Sequence, residues 1–521
     1  MRKAIAVAAL FTALAATGCS KDFLTETPKD FVGTTNFYRN GTDAVAAVNA
    51  AYASFENLPS AVGTNDDYYG RNFYMVTEFM SEEMTNRLSA GNERSLIDNY
   101  NFASNHAYFL TIWNAAWFAI NKANAVIDHV PDIEMPDTVL RSRVVGEAKF
   151  LRATHYFNLV RFWGGVPIKR HETSSLDSLS FTRATTKETY DFIVQDLKDA
   201  AAVLPVSYSA ADFGRATKGA ALAQLGKVYL QEAATGVDAS AYQAALDAFK
   251  QVMGLGVYSL ASNFGSLFDG SNETSPEIIF AIQNVRVDGL GGRLSKWNAP
   301  TTYTDIPGPQ NAFQIEMPFY NTWSNTDKRK AASILLTFVN GGKTVPWVDP
   351  ATSTTVKAYG STGPVPRKFI DLGSQGSGSE GIDYPLIRYA DVLLSAAEAI
   401  DAISGPTAEA YGYVNQVRAR AGVPALAAGL SAQDFKNAVF LERRYEFWDE
   451  GQAYFDSQRN WDWAQNRVYD AMKLGPTLNK SPLTSSVPKA IHDPTDPKYK
   501  LLPIPSRAIE LNPQLTQNPG W

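Results

Sequence analysis

Apolar residues recur at three- and four-residue spacing through most of this chain, the mark of helices that bury one face or more. Residues 42–55 are alanine-rich with Val45, Val48 and Tyr52 in helical register, and residues 108–130 carry Trp113, Trp117, Ile120 and Ala123 or Asn124 in the same way. Both tryptophans read as core. The pattern is fullest over residues 147–163, where Phe150, Ala153, Phe157 and Val160 make one apolar face and Ala148, Leu151, Leu159 and Phe162 a second beside it. This spacing predicts a helix buried on most sides, with His155 a core residue. Gly164-Gly165 and Pro167 end it, because glycine tolerates a left-handed cap and proline cannot continue a helix.

Further helical patterns come in pairs. Residues 186–204 follow the buried helix, and residues 217–232 are followed by 239–253. In that pair Leu225-Gly226-Lys227-Val228-Tyr229 fits the L-G-x-x-Y element of a tetratricopeptide repeat, and Ala245 with Phe249 fits its A-x-x-x-F element. Residues 384–400 and 407–421 predict another helix hairpin. Residues 431–455 predict one long helix, opened by a Ser431 and Asp434 cap, with Leu441, Tyr445, Trp448, Gln452 and Phe455 along one face. Between these blocks, residues 263–381 are rich in Gly, Pro, Asn, Ser and Thr, with a strand-like run over 277–285 and the rings of Trp297, Tyr303, Phe319, Tyr320, Trp323 and Trp347. Long irregular segments inside a compact body are usually functional. The expected fold is mainly α, a tetratricopeptide-like scaffold of helix pairs (an α/α superhelix) with a loop-rich, minor-β insertion.

Composition agrees with a folded body: of 521 residues 45% are apolar and 19% charged, too apolar for disorder. The single cysteine, Cys19, rules out an internal disulfide and any cysteine-based metal cluster. Its position says more. Met1-Arg2-Lys3 is basic, residues 4–16 are an apolar run, and Ala15-Ala16-Thr17-Gly18 supplies small residues just before Cys19. The run is too short to span a membrane as a helix, so residues 1–18 read as a secretory signal peptide. The small-residue segment resembles a bacterial lipobox, in which the cysteine becomes the lipidated first residue; residues 19–40 then read as a lipidated tether. Net charge is −6 with the signal peptide and more negative without its Arg2 and Lys3, which argues against nucleic acid as a partner and leaves the lipid as the only membrane contact.

The search for catalytic chemistry returns little. None of the five histidines has metal-ligand spacing, and no G-x-S-x-G elbow occurs. Gly341-Gly342-Lys343-Thr344 ends like a P-loop, but Thr337 stands where the first glycine is required. Gly376-Ser377-Gly378-Ser379-Glu380-Gly381 matches G-x-G-x-x-G formally, yet Pro385 follows and no helix opens there, so it reads as a flexible loop. No catalytic residue, metal ligand or cofactor site is assigned. Glu442, Glu446 and Glu450 recur every four residues, and Glu82-Glu83 are adjacent. The first set reads as a helix-surface charge network offset by Arg443, Arg444 and Arg459. An all-helical glycoside hydrolase would instead need such carboxylates as a working pair.

Several motifs together resemble one family. Phe23-Leu24-Thr25-Glu26-Thr27-Pro28, then Gly146-Glu147-Ala148-Lys149-Phe150-Leu151-Arg152-Ala153 running into Tyr156-Phe157-Asn158-Leu159-Val160-Arg161-Phe162-Trp163-Gly164-Gly165-Val166-Pro167, are similar to the N-terminal half of SusD/RagB outer-membrane lipoproteins. Ile387-Arg388-Tyr389-Ala390-Asp391, Val414-Asn415-Gln416-Val417-Arg418-Ala419-Arg420-Ala421-Gly422, Glu442-Arg443-Arg444-Tyr445-Glu446-Phe447 and the closing Gln517-Asn518-Pro519-Gly520 resemble its C-terminal half. The resemblance spans nearly the whole mature chain, dividing it into residues 41–262 (SusD-like, N-terminal) and 263–521 (C-terminal, with loop-rich 263–381).

That resemblance implies a lipid-anchored protein of the outer membrane, exposed at the cell surface, that binds an oligosaccharide, or in some members a peptide, and passes it to a TonB-dependent SusC-like barrel. Sugar rings present a C–H face that stacks on an aromatic plane, and their hydroxyls need fixed donors and acceptors. By position in the family pattern, Asn86, Arg87, Tyr100, Asn101 and Tyr108 would face Trp297, Tyr303, Tyr320 and Trp323 across the ligand. Tyrosine in the first segment, where glycan binders of the family often present tryptophan, keeps a peptide ligand open.

Overall fold

The computed structural model describes residues 37–55, 68–86, 93–173, 180–287, 290–300, 303, 306, 308–340, 343–346, 364–373, 379–473 and 492–521. Cys19, Arg87, Trp347 and the glycines at 376 and 378 lie outside them.

In chain order the elements are α1 (Gly41–Tyr52), α2 (Asn72–Phe79), β1 (Met84–Asn86), α3 (Glu93–Asp98), α4 (Ala107–His129), α5 (Thr138–Trp163), α6 (Thr186–Val203), α7 (Lys218–Ala234) and α8 (Ala241–Gly254). The loop-rich middle holds β2 (Ile278–Ile282), α9 (Leu294–Asn298), β3 (Phe313–Ile315), α10 (Met317–Thr322), α11 (Lys328–Ser333), β4 (Ile334–Leu335), β5 (Thr337–Asn340), β6 (Lys343–Pro346) and β7 (Val365–Pro366). The chain returns to helices through β8 (Tyr384–Arg388), α12 (Tyr389–Ser404), α13 (Ala408–Ala421), α14 (Ala432–Phe447), α15 (Ala453–Arg459), α16 (Trp461–Lys473) and α17 (Ser506–Leu511).

Helix starts follow capping chemistry. The side chains of Asn40, Asp137, Thr217 and Ser431 each accept a bond from a first-turn amide, and Thr185 with Glu188 forms a reciprocal capping box opening α6. Helix α5 begins nine residues before the predicted start, because Asp137 caps it through the Leu140 amide at 2.8 Å. It ends as expected on Gly164, at φ 73°, and Gly165 is required by space: a Cβ there would sit 2.0 Å from the Ala184 carbonyl oxygen.

The helices pack chiefly on their neighbours in the chain, α4 on α5, α5 on α6, α6 on α7 and α7 on α8, and α12 packs on α8, α13 and α14. The repeat-like signature has a direct cause, since a Cβ on Gly226 of α7 would lie 2.5 Å from the Phe249 ring of α8. The glycine lets the two helices close onto that ring. His155 is wholly buried, shares a 3.1 Å hydrogen bond with Tyr68, and burial lowers its imidazole to about 3.

Two predicted helices differ from what folds. Residues 384–388 are strand β8, antiparallel to β2 with Ile278 opposite Arg388 and Ile282 opposite Tyr384, and the helix starts only at Tyr389. The long helix over 431–455 is two, α14 and α15, broken at Asp449 (φ 67°) and Gly451 (φ 70°). A left-handed backbone cannot continue an α-helix, so Gln452 and Phe455 turn away from the α14 face.

Candidate functional site

The two parts of the chain meet in a short antiparallel pairing. Strand β1 sets Met84, Thr85 and Asn86 opposite Ile315, Gln314 and Phe313 of β3, and the Glu316 amide extends the ladder to the Glu83 carbonyl at 2.9 Å. Asp98, at the end of α3, fixes β1 from behind by accepting from the Thr85 hydroxyl (2.9 Å) and the Asn86 amide (3.3 Å). The Asn86 side chain donates to Ser95 at 2.9 Å.

Beside this junction lies Trp297, on α9. Its carbonyl accepts from Ala312 at 2.7 Å, one residue before β3. Around its indole stand three cations: Arg71 and Arg94 at 5.4 Å and Lys296 at 5.2 Å from the ring. Arg71 also lies 5.6 Å from the half-buried ring of Tyr108, so one guanidinium bridges a ring of the first part and a ring of the loop-rich middle. Helix α9 is held by Glu380, whose carboxylate accepts from the amides of Ser295 (2.9 Å) and Lys296 (3.1 Å); burial raises that carboxyl to about 8.

Of the residues named from sequence, then, Tyr108 and Trp297 come together on Arg71, and Asn86 sits at the end of β1 opposite Phe313 of β3. Tyr320 and Trp323 form a second cluster: Lys330 lies 4.0 Å over the Tyr320 ring, and Trp323 is buried against Tyr445 and Trp448 at 5.3 and 6.2 Å. Tyr303 packs on Phe338 at 5.4 Å, on the wall of a groove of about 760 Å³. Tyr100 is 1% exposed, its hydroxyl between the Met80 carbonyl and Gln465, so it supports the β1 region from the interior. Asn101 accepts from His492 at 3.0 Å. Arg71, Arg94 and Lys296 went unnamed from sequence. The signal available for Arg71 was its place in the aromatic run Tyr68-Tyr69-Gly70-Arg71-Asn72-Phe73-Tyr74.

The acidic sets are not on a helix surface. Glu442, Glu446 and Glu450 are at most 3% exposed, and their partners come from other segments. Arg388 reaches Glu277 (2.6 Å), Glu446 (2.8 Å) and Glu450 (2.8 Å); Arg329 reaches Asp327, Glu442 and Glu446; Arg420 reaches Glu277 and Glu446; Lys368 reaches Glu450. Arg443 and Arg459 pair instead with Asp391, Asp456 and Glu398, and Arg444 with Glu82 and Glu83. Burial alone would raise Glu446, but Arg420, Arg388 and Arg329 outweigh it and hold the carboxyl well below the usual range. A general acid needs the opposite shift and access to substrate. Among the described residues no group of three or more His, Cys, Asp and Glu is placed to hold a metal ion, and no helix is long and apolar enough to cross a membrane.

Residues 228–521 match the family model described as the SusD family, and residues 44–230 match one described as starch-binding, associating with outer membrane. The chain belongs to the SusD family. Among its SusD relatives, SusD-like protein P2 of Formosa agariphila is 25% identical over 470 residues, covering 85% of this chain and 88% of that protein. Starch-binding protein SusD of Bacteroides thetaiotaomicron is 25% identical over 465 residues, covering 78% and 77%. The crystal structure of a SusD homolog from Bacteroides thetaiotaomicron superposes with a TM-score of 0.78 at 25% identity, covering 93% of this chain and 98% of that one. The mainly helical, tetratricopeptide-like architecture is thus the SusD fold, and the buried glutamates of the Glu442-Arg443-Arg444-Tyr445-Glu446-Phe447 motif are part of its scaffold.

Proposed function

We propose that this protein is a surface lipoprotein that binds oligosaccharides and delivers them to a TonB-dependent SusC-like barrel in the outer membrane, anchored by acyl chains on Cys19. The observation that carries the reading is the junction of β1 with β3. It ties Asn86 of β1 to the segment that follows Trp297, while Arg71 bridges Trp297 and Tyr108, which combines aromatic faces for sugar C–H surfaces with amide and guanidinium donors for hydroxyls. Family membership supports it, since the starch-binding relative from Bacteroides thetaiotaomicron shares a quarter of its residues with this chain. Asn86, Arg87, Tyr108 and Trp297 form the central contacts. Tyr303, Tyr320 and Asn101 extend them, with Tyr100 and Trp323 supporting from below. The protein binds without cleaving.

Affinity electrophoresis across a polysaccharide panel tests this. Retardation by at least one glycan, abolished in Trp297→Ala while the helical circular dichroism stays unchanged, is the expected result. A panel without any retardation overturns the carbohydrate reading.

A further inference from the structure

In the two arginine-rich clusters of the scaffold the paired charges balance, and beside them, among the described residues, Arg161 has no ion-pair partner. Around α14 the cations Arg329, Arg388, Arg418, Arg420 and Lys368 face the carboxylates Asp327, Glu277, Glu442, Glu446 and Glu450. In the neighbouring cluster Lys227, Arg443 and Arg459 share Asp391, Asp456 and Glu398. Arg161, at the end of α5, adds a further cation there and makes no salt bridge among the described residues.

Arg161 is 8% exposed. Its guanidinium carbon lies 3.5 Å from the Phe455 ring centroid and 4.1 Å from that of Phe157. Its hydrogen bonds go to neutral acceptors, the Phe157 carbonyl at 3.3 Å and the Asn158 side chain at 2.6 Å. A guanidinium carries five N–H donors, so its hydrogen-bonding capacity is not filled by these two. Burial pulls its pKa down to about 10, as expected of a desolvated cation without a carboxylate.

A small cavity of about 30 Å³ opens beside it, lined by Arg161, Lys227, Gln224, Asn158 and Gln452. That is room for a water or two, or for one monatomic ion. Gln224 is 5% exposed and its amide has no hydrogen-bond partner among the described residues. Glu450 also lines the cavity, but both of its oxygens are engaged, by Lys368 at 2.7 Å and by Arg388 at 2.8 Å. The walls therefore offer cationic and amide donors with one carboxylate that is already neutralised. An anion seated there would balance the surplus positive charge and accept from donors that the protein leaves unfilled.

We propose that this cavity is a structural anion site, with chloride its occupant, held by Arg161, Lys227 and Gln224. It pins the end of α5, and with it the Gly164-Gly165 turn, to α7 and α15.

Crystals of the full chain grown in sodium bromide test this directly. An anomalous bromide peak in the cavity is expected, within reach of the Arg161 guanidinium and the Gln224 amide. In solution, melting in sodium chloride exceeds melting in sodium gluconate at equal ionic strength by about 1–2 °C, and Arg161→Gln removes the difference. Should Arg161→Gln fail to fold, Gln224→Leu, which keeps every charge, lowers the halide shift by half or more. A cavity holding only water in the bromide crystals, or a halide shift that is the same in wild type and Gln224→Leu, overturns the proposal.

Discussion

Replacing Glu446 with glutamine removes one negative charge from the interior while keeping the side-chain volume. In the native arrangement one oxygen accepts from Arg388 at 2.8 Å and Arg420 at 2.5 Å, and the other from Arg329 at 3.0 Å. Glutamine keeps a single acceptor and turns an NH₂ toward an arginine. The five carboxylates around α14 become four against five cations, and of these ten groups all but Arg418 are nearly inaccessible to water. Breaking a buried pair by removing one partner costs about 3–5 kcal/mol. The lower end, about 3 kcal/mol, applies here because Arg388 retains Glu277 and Glu450, Arg420 retains Glu277, and Arg329 retains Asp327 and Glu442. Urea denaturation at pH 7 measures this. The pH dependence gives a second readout: since the folded carboxyl titrates below its ordinary value of 4.5, its contribution is fully present above that value and is lost as pH falls toward the folded one. The gap between wild type and variant therefore narrows below about pH 4. A variant within 1 kcal/mol of wild type at pH 7 refutes the structural role, and loss of a glycan-cleaving activity in an otherwise stable variant would restore the hydrolase reading.

Gly226→Ala places a methyl 2.5 Å from the Phe249 ring and should cost about 1–3 kcal/mol, with partial recovery in the double variant carrying Phe249→Leu, read by thermal melting. Glu78 behaves oppositely to Glu446: burial raises its carboxyl to about 8 against an unfolded value near 4.5, so its folded form holds a proton that the unfolded chain releases, and stability falls with rising pH between those values. Glu78→Gln flattens that slope by at most about 1.4 kcal/mol per pH unit, measured by denaturation at pH 5, 6.5 and 8; an unchanged slope refutes the assignment. Cys19→Ala should move the protein from the membrane fraction to the soluble one on cell fractionation, since the acyl chains are the proposed anchor.

What could be read from sequence follows the physics of each signal. Helix periodicity and capping residues are local, and so α1, α4, α6, α7, α8 and α13 fall within a few residues of expectation. Strand β8 was missed because Tyr384-Pro385-Leu386-Ile387-Arg388 runs straight into an alanine-rich helix, and its strand character comes from a partner about a hundred residues earlier, β2. The break between α14 and α15 turns on two left-handed residues: Gly451 was a stop signal present in the sequence, and Asp449, an aspartate in a backbone region that favours glycine, gave none. The glutamates every four residues gave the right helix for Glu442 and Glu446, not for Glu450 in the turn after it, and the wrong environment for all three: the arginines that bury them lie in segments 329, 388 and 420, which sequence spacing cannot bring together. The candidate ligand residues were legible only as residue types in loops, and their grouping depended on the long-range pairing of β1 with β3.

That contrast bears on how the protein would keep the proposed ligand face defined on irregular backbone. The loop-rich middle has little regular hydrogen bonding of its own, since its strands among the described residues make only two-stranded pairings. It is tied down at points where it meets the helical body. Lys368 donates to the carbonyls of Glu446 and Trp448, at 3.2 and 2.8 Å, and ion-pairs with Glu450; Asn298 of α9 donates to Asp449 and to the Lys368 carbonyl; Glu380 caps α9 just before Trp297. The turn between α14 and α15 thus holds Lys368, Lys368 holds Asn298, and Asn298 is the residue after Trp297. Loosening that chain should weaken ligand binding without touching the ligand. Asn298→Ala removes both hydrogen bonds of the link yet leaves Trp297, Tyr108 and Arg71 in place, so its affinity for any glycan retained by the wild type should drop about tenfold, equivalent to about 1.4 kcal/mol. Unchanged affinity would mean that Trp297 is positioned by β3 alone.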